Sequence, residues 1–205
     1  MSRSARTFAT VIAIVAIASL VADYFVTSWE NPGSGPAGVV WRMVRYFTIL
    51  TNAIVAVVLV QIAVKGFPSA SRSTAVTLWI AFVGSVYYAL LARPLEGLEF
   101  WSDLGLHAAT PLGMVALWLI WAPKDGLRAR DAFVWALWPV CYAGYALVRG
   151  AFDGEYPYFF LDPVKTGWAG IANWVVILFA GFSAGGLGMI YGARIVQAKP
   201  GSSSM

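Results

Sequence analysis

Six apolar runs, each long enough to cross a bilayer, restrict the fold of this chain more than any other feature. They lie near residues 8–28, 45–64, 74–92, 104–122, 132–149 and 168–191. A helix of about 20 apolar residues rises about 30 Å, which is the thickness of the hydrocarbon layer. The sequence therefore predicts an all-α polytopic membrane protein, a bundle of six transmembrane helices.

The composition agrees with the bilayer as the solvent. Hydrophobic residues form 60% of the 205-residue chain and charged residues only 12%, too few to cover a water-exposed surface. The net charge of +4 comes from basic residues scattered at the ends of the runs, so we expect no nucleic-acid partner. We expect one transmembrane domain over residues 1–195 and a disordered, serine-rich tail over residues 196–205.

The loops between the runs alternate in charge, and this alternation predicts the topology. The loops on one side hold eight of the ten acidic residues. Most of the 14 basic residues lie on the opposite side, namely Arg3, Arg6, Lys65, Arg72, Lys124, Arg128, Arg130, Arg194 and Lys199. Because lysine and arginine concentrate in cytoplasmic loops, both termini are expected in the cytoplasm.

Two of the predicted spans begin with polar side chains that share one helical face. Arg45, Thr48 and Asn52 are spaced three and four residues apart at the start of the second span. His107, the only histidine, and Thr110 are spaced likewise at the start of the fourth span. Polar groups in a membrane helix cost free energy unless they are paired, so these residues are the first candidates for a functional site.

The charge rule also allows the depths of these residues to be compared. The second and fourth spans both run from outside to inside, and at about 1.5 Å per residue Thr48 lies ~4.5 Å past Arg45 while His107 lies ~6 Å past Asp103. The hydroxyl and the imidazole are therefore expected at similar depth, just below the outer interface. If the two helices are neighbours, the side chains come within hydrogen-bonding distance.

The sequence lacks the common motifs for metal, nucleotide and cofactor binding, which limits the reactions that this chain can catalyse. A single histidine and a single cysteine supply neither a bis-histidine haem site nor a zinc site of several histidines or thiolates. No Walker loop, dinucleotide-binding glycine pattern or Gly-x-Ser-x-Gly motif occurs. We therefore expect no metal and no cofactor. The conventional chemistry that remains is a hydroxyl nucleophile with a histidine base.

Two functions other than hydrolysis are also compatible with the sequence. The polar face could line a small transporter or channel with a polar, outward-facing cavity, or it could belong to a non-catalytic lipid-binding membrane protein. A channel needs polar residues on the inner side as well. Residues 56–64 and 114–121, the inner halves of the second and fourth spans, are almost wholly apolar apart from Gln61, which favours a cavity closed at the cytoplasmic end.

Three motifs, taken together, carry a resemblance to a known family. They are residues 45–48 with Asn52 at the start of span two, residues 106–111 around the histidine, and residues 154–162 before span six. In this order on a six-span chain they resemble the multi-span androgen-induced proteins and androgen-dependent tissue-factor-pathway-inhibitor-regulating proteins, with their bacterial relatives. Ala108 and Ala109 depart from the hydroxyl residues that animal members often carry after the histidine.

The resemblance implies an intramembrane hydrolase of fatty acid esters of hydroxy fatty acids. Thr48 would be its nucleophile and His107 its general base. The implied partners are a lipid ester substrate and membrane lipids, and the implied location is a bacterial inner (plasma) membrane. Beside this pair, Asn52 and Arg45 are candidates for stabilising the oxyanion. An acid that orients His107 is expected at Asp23 or, as the second choice, at Asp103.

The remaining candidates concern the substrate. Its free carboxylate could be bound by any of three basic residues at the outer side, Arg42, Arg45 and Arg149. The walls of the pocket could be formed by five further residues, Thr51, Thr110, Tyr156, Tyr158 and Asp162. The acyl chains of a lipid ester could then remain among the apolar helices.

Overall fold

The computed structural model describes the backbone of residues 1–198 and the side chains of residues 1–195. Over this range the chain is helical and has no strand. Its helices are α1 (Arg3–Glu30), α2 (Pro36–Met43), α3 (Phe47–Lys65), α4 (Ala70–Val86), α5 (Gly97–Leu104), α6 (Thr110–Trp121), α7 (Ala129–Trp135), α8 (Leu137–Asp153) and α9 (Pro163–Ala198). Two π-turns, Tyr87–Leu91 and Gly105–Ala109, follow α4 and α5, and a 3₁₀ turn, Phe159–Leu161, precedes α9.

Six helical segments are long and apolar enough to cross a membrane, which confirms the predicted all-α, multi-pass architecture. They are Arg3–Glu30, Phe47–Lys65, Ala70–Leu91, Gly97–Trp121, Ala129–Asp153 and Pro163–Ile195. The largest difference from the predicted runs is in the fourth span, which begins at Gly97 rather than near residue 104. The first two turns of this span carry Glu99 and Asp103, so these turns are too polar to be recognised as part of an apolar run.

The last helix corrects the predicted start of the tail. The helix α9 continues through Ala198, so residues 196–198 are helical where a disordered tail was expected. The rest of that prediction, residues 199–205, lies outside the described residues. Near its start α9 is interrupted at Gly167, where φ is 65° and ψ is 166°. Glycine adopts this backbone conformation readily because it has no Cβ, and the predicted sixth span begins at the next residue.

The described chain divides into two compact units, whereas one domain was expected over residues 1–195. The first unit contains Met1–Ser69 and Trp79–Ala122, and the second contains Ala70–Leu78 and the chain from Pro123 onward. The boundary therefore falls inside α4. Residues 73–78 of this helix are all buried. Because a helix that is buried all round has no single apolar face, its sequence does not indicate which partners its two halves have.

Close helix contacts build the first unit around α1. This helix packs against α3, α5 and α6. Gly105 lies directly against Ser19, and Gly113 against Ile12, so that a Cβ at either glycine would collide with α1. Small residues of this kind allow membrane helices to approach closely. The contact at Gly105 places the π-turn Gly105–Ala109 beside α1.

A small apolar cluster supports the part of the first unit that contains Thr48 and His107. Val39 and Met43 from α2 pack with Ile49 from α3 and Leu106 from the second π-turn. Ile49 follows Thr48 in the sequence, and Leu106 precedes His107. The cluster therefore holds the backbone next to both proposed reactive residues.

The second unit has its own aromatic packing. Tyr158 and Phe160 stack with ring centroids 5.0 Å apart, and Phe160 contacts Trp174 of α9 at 5.7 Å. The indole N–H of Trp135 donates to the Ser71 hydroxyl at 3.1 Å and ties α7 to the beginning of α4. These contacts are internal to the second unit.

Candidate active site

Thr48 and His107 meet in the first unit. Thr48 is the second residue of α3, and His107 lies in the π-turn between α5 and α6. The distance between Thr48 Oγ1 and His107 Nε2 is 3.3 Å, across 59 positions of sequence. The depth comparison predicted this proximity only if the two helices were neighbours, and the structure brings them together.

The hydroxyl of Thr48 behaves differently from most threonines in a membrane helix. The hydroxyls of Thr10, Thr77 and Thr166 donate to the carbonyl four residues earlier, at 2.9, 2.8 and 3.1 Å, which is the ordinary arrangement for threonine. Thr48 stands at the start of its helix, and the hydrogen bond of its hydroxyl is made with His107. This hydroxyl is thus oriented toward a base rather than toward its own backbone.

The surroundings of His107 define which ring nitrogen carries the proton. Nδ1 lies 2.9 Å from Asp103 Oδ1 and 3.2 Å from the Asp103 carbonyl oxygen. Both neighbours are acceptors, so in the neutral imidazole Nδ1 is the donor. Nε2 then presents its lone pair to the hydroxyl of Thr48. The side chains form a hydroxyl–imidazole–carboxylate series.

The acidic residue that contacts His107 is the second of the two expected candidates. Asp23 was the first choice and Asp103 the second, but Asp103 makes the direct contact. Asp23 instead accepts a hydrogen bond from the Ser102 hydroxyl at 3.4 Å, and its charge acts on His107 only through electrostatic interaction. The reason is local, because four residues along one helical face place Asp103 next to the imidazole without any further contact between helices.

Tyr87 contacts His107, although the sequence did not single it out. The two rings stack with centroids 3.7 Å apart and planes inclined by 14°. The Tyr87 hydroxyl also interacts with Asp103. Three residues earlier, a Cβ on Gly84 would lie 2.7 Å from the His107 carbonyl oxygen. Gly84 and Tyr87 share one face of the third span. In the sequence, this combination of a glycine and an aromatic residue was the feature that could have indicated a contact with the site.

Asn52 is fully buried and does not have the predicted role. Its amide nitrogen donates to the Thr48 carbonyl at 2.9 Å and to the Leu106 carbonyl at 3.2 Å. An asparagine has only two amide protons, and both are used. Asn52 is therefore not available as the oxyanion donor that we expected. Its Oδ1 atom has no hydrogen-bond partner in the described part of the chain.

Free backbone donors lie next to the proposed nucleophile. The helix α3 begins at Phe47 after Tyr46, whose side chain makes no capping hydrogen bond, and the Leu50 amide is the first to bond back, to the Tyr46 carbonyl at 3.2 Å. The amides of Thr48 and Ile49 have no acceptor within residues 1–198. Such unsatisfied amides at a helix start favour negative charge.

The other candidates of the first unit differ in burial. Arg45 is buried one turn before Thr48, and Arg42 is exposed in the last turn of α2. Thr51 and Thr110 are both fully buried. The hydroxyl of Thr110 has no hydrogen-bond partner among the described residues.

Four candidates belong to the second unit. Arg149 donates to the Tyr145 hydroxyl at 2.7 Å and lies 3.6 Å from an Asp153 carboxylate oxygen. Asp162 accepts from the amide of Val164 at 2.9 Å at the start of α9, which is a helix-capping contact. The other two are Tyr156, which packs against Gly150, and Tyr158, which stacks on Phe160. Each of these contacts has a structural role within the unit.

The fold and this site define a multi-pass, all-α membrane protein that carries a hydroxyl–imidazole–carboxylate series on one of its two units. Within the described residues, no group of three His, Cys, Asp or Glu side chains is placed to hold a metal ion. Searches against protein-family models, curated proteins and solved structures found no match. The resemblance to the androgen-induced protein family therefore stays a prediction from the three motifs.

Proposed function

We propose that this protein is an intramembrane hydrolase of lipid esters. Thr48 is its nucleophile, His107 its general base and Asp103 the acid that orients the base. The observation that carries the proposal is the continuous series from Thr48 Oγ1 to His107 Nε2 at 3.3 Å and from His107 Nδ1 to Asp103 at 2.9 Å. This is the arrangement that activates a hydroxyl in unrelated hydrolases.

Each member of the series has a physical reason to be present. A threonine hydroxyl is a poor nucleophile unless a base removes its proton during attack. His107 Nε2 is placed to do so, and the Asp103 carboxylate stabilises the imidazolium that results. The distance of 3.3 Å is slightly longer than an optimal hydrogen bond. Catalytic hydrogen bonds commonly shorten when substrate binds.

The oxyanion can be stabilised by the start of α3. When Thr48 attacks an ester carbonyl, negative charge develops on the carbonyl oxygen beside the nucleophile. The amides of Thr48 and Ile49 are available there, and the positive end of the helix dipole acts in the same direction. Hydrolases with a nucleophile elbow likewise use the amide of the residue after the nucleophile.

The reaction then proceeds in two balanced halves. Thr48 Oγ1 bonds to the carbonyl carbon, and its proton passes to His107 Nε2. That proton is given to the leaving alkoxide as the ester C–O bond breaks, which leaves an acyl-threonine and a free alcohol. A water molecule next loses a proton to His107 and attacks the acyl group. The proton returns to Thr48 as the fatty acid leaves.

The position of the site suits a lipid ester near the outer leaflet. Thr48 is only partly buried and lies in the first turn of a segment that is long and apolar enough to span a membrane, a position that suits a site which both water and an acyl chain must reach. Arg42, which is exposed before that turn, is our candidate for binding a free carboxylate, and the buried Arg45 lies between it and Thr48 in the sequence. We propose fatty acid esters of hydroxy fatty acids as substrates, and a bacterial inner membrane with cytoplasmic termini as the location.

A transporter or channel is less well supported. A polar path would have to continue along α3 beyond Asn52. The buried residues that follow Asn52 on this helix are all apolar, namely Val55, Ala56, Leu59 and Ile62. The polar face thus ends near Asn52, as a closed substrate cavity requires.

The proposal is tested with a fluorophosphonate probe, whose phosphorus is attacked by activated hydroxyls. Purified protein in lipid nanodiscs is expected to be labelled at Thr48, as located by peptide mass mapping, and His107→Ala should remove the label. Thr10 serves as the internal control, because its hydroxyl bonds only its own helix at 2.9 Å. Labelling of Thr10 to the same extent as Thr48, or no label on a protein that hydrolyses lipid esters, would contradict the assignment.

A further inference from the structure

Asn52 bonds both to Thr48 and to the residue before His107, and it touches neither reacting atom. We propose that Asn52 is a positioning residue that fixes the spacing between nucleophile and base. The expected effect of Asn52 on the reaction rate rests on the proposed function, but the two hydrogen bonds of Asn52 do not. One amide group holds the Thr48 carbonyl at 2.9 Å and the Leu106 carbonyl at 3.2 Å.

The Leu106 carbonyl is available because the helix is interrupted there. In an α-helix it would accept the amide of Thr110, four residues later. In the π-turn Gly105–Ala109 the Thr110 amide donates to Gly105 instead. The next possible donor, five residues after Leu106, is Pro111, which has no N–H. Neither the α nor the π pattern satisfies this carbonyl, and Asn52 supplies the missing donor.

Burial makes this hydrogen bond obligatory rather than incidental. Asn52 has no exposed surface, and Leu106 is only 2% exposed. A buried carbonyl without a donor is costly, especially inside a membrane where water cannot replace the bond. Asn52 therefore stabilises the π-turn. Turns of this kind often lie at functional sites.

The same pairing controls the reactive distance. Thr48 is fixed through its own carbonyl, and His107 through the carbonyl of its neighbour. Loss of the Leu106 bond would let the π-turn move relative to α3. A displacement of ~1 Å in a reactive pair can cost about 10²-fold in rate.

Asn52→Ser separates the two bonds. The serine hydroxyl can still donate to the Thr48 carbonyl four residues earlier but is too short to reach Leu106. Asn52→Leu removes both bonds at similar volume. For a residue that acts across the helices, both variants are expected to lower kcat by about 10- to 100-fold, as losses of supporting contacts do, with KM nearly unchanged. The probe substrate is the palmitic acid ester of hydroxystearic acid.

Pro111→Ala is an independent route to the same result. It changes no side chain that bonds to the reactive pair, but it restores an N–H that can compete with Asn52 for the Leu106 carbonyl. Its kcat is expected to fall while the protein stays folded. Thr77→Val is the matched control, since it deletes a fully buried hydroxyl that bonds only within its own helix in the second unit, and its kcat should equal that of the wild type.

The single histidine provides a readout that does not depend on activity. In protein with ¹⁵N-labelled histidine, the Nε2 resonance reports the hydrogen bond from Thr48 without ambiguity. Asn52→Ser and Pro111→Ala should shift this resonance toward its position in Thr48→Val. If the wild type hydrolyses no ester but the shift occurs, the proposed function fails and the positioning role stands. Unchanged resonances in both variants, or unchanged kcat in Asn52→Ser and Asn52→Leu, would overturn the role of Asn52.

Discussion

The candidate site residues of the two units are held by different kinds of hydrogen bond. In the first unit, hydrogen bonds connect different helices, from α3 to the π-turn at Thr48–His107 and at Asn52–Leu106. In the second unit one such bond joins α7 to α4, between the Trp135 indole and Ser71, whereas the contacts of the candidate Arg149 with Tyr145 and Asp153 lie within α8. A bond within one helix can form wherever the spacing is right, whereas a bond between helices requires the whole unit to be folded.

This difference is informative because both units carry residues that the sequence marks as functional. Arg149 is 6% exposed, as deeply buried as Arg45. Burial and polarity alone therefore do not separate a reactive group from a structural one. What separates them in this structure is whether a hydroxyl, an imidazole and a carboxylate meet in series, and they do so at Thr48.

Removal of one hydroxyl from each unit should have the largest difference in effect. Thr48→Ala should lower kcat for lipid ester hydrolysis by about 10⁴-fold or more, as expected for a nucleophile. Thr166→Ala, in the second unit, removes a hydroxyl that donates to the Asp162 carbonyl at 3.1 Å and should leave kcat unchanged. Initial rates on purified protein, with circular dichroism to verify folding, give the answer. Equal rates for Thr48→Ala and wild type would disprove the nucleophile.

A second prediction separates the two acids of the first unit. Asp103→Asn should lower kcat by about 10²- to 10⁴-fold, because the amide no longer stabilises the imidazolium or its tautomer. Asp23→Asn should cost less than about tenfold, since a charge that is not in contact has a weaker effect. Parallel kinetics on the two variants test the ranking. A larger loss in Asp23→Asn would return the orienting role to Asp23.

A third prediction compares a stacked aromatic pair from each unit. Tyr87→Leu should lower kcat about two- to tenfold, which corresponds to the 0.5–1.5 kcal/mol of an aromatic pair, because the imidazole loses its support. Tyr87→Phe keeps the stack and should retain more activity. Tyr158→Leu breaks the pair with Phe160 in the second unit and should lower the thermal midpoint without changing kcat. A Tyr87→Leu variant with normal kcat would limit Tyr87 to packing.

The sequence predicts much of the fold because each apolar run directly indicates a segment that can span the membrane. Spans and helical faces follow from hydrophobicity and the helical repeat, and the depth of Thr48 and His107 follows from the charge of the loops. Which helices are neighbours does not follow, because lipid-facing and helix-facing surfaces are equally apolar. The contact between Thr48 and His107 was therefore predicted only on the condition that the second and fourth spans are neighbours. The structure places α3 beside the π-turn and so meets this condition.

The roles of the supporting residues were harder to predict because they depend on backbone geometry. Asn52 lies on the same face as Thr48, which suggested an oxyanion donor. Its two amide protons are used by carbonyls, one of which is available only because of a π-turn and a proline. The backbone amides at the start of α3 have no signature in side-chain chemistry at all. Hydrophobic periodicity assumes a regular helix, so it is least informative where the helix is irregular.

The last prediction concerns two glycines and tests the contact between helices directly. Gly105→Ala would place a Cβ against Ser19 and should destabilise the protein by about 1–3 kcal/mol, as overpacking does. It should also lower kcat, because the π-turn has to move away from α1. A Cβ added at Gly188 of α9 would meet no atom of the described residues within 4 Å, so Gly188→Ala should be neutral or stabilise the protein by up to about 1 kcal/mol. Thermal unfolding in detergent measures both, and equal midpoints would mean that the close approach of the π-turn to α1 does not constrain the site.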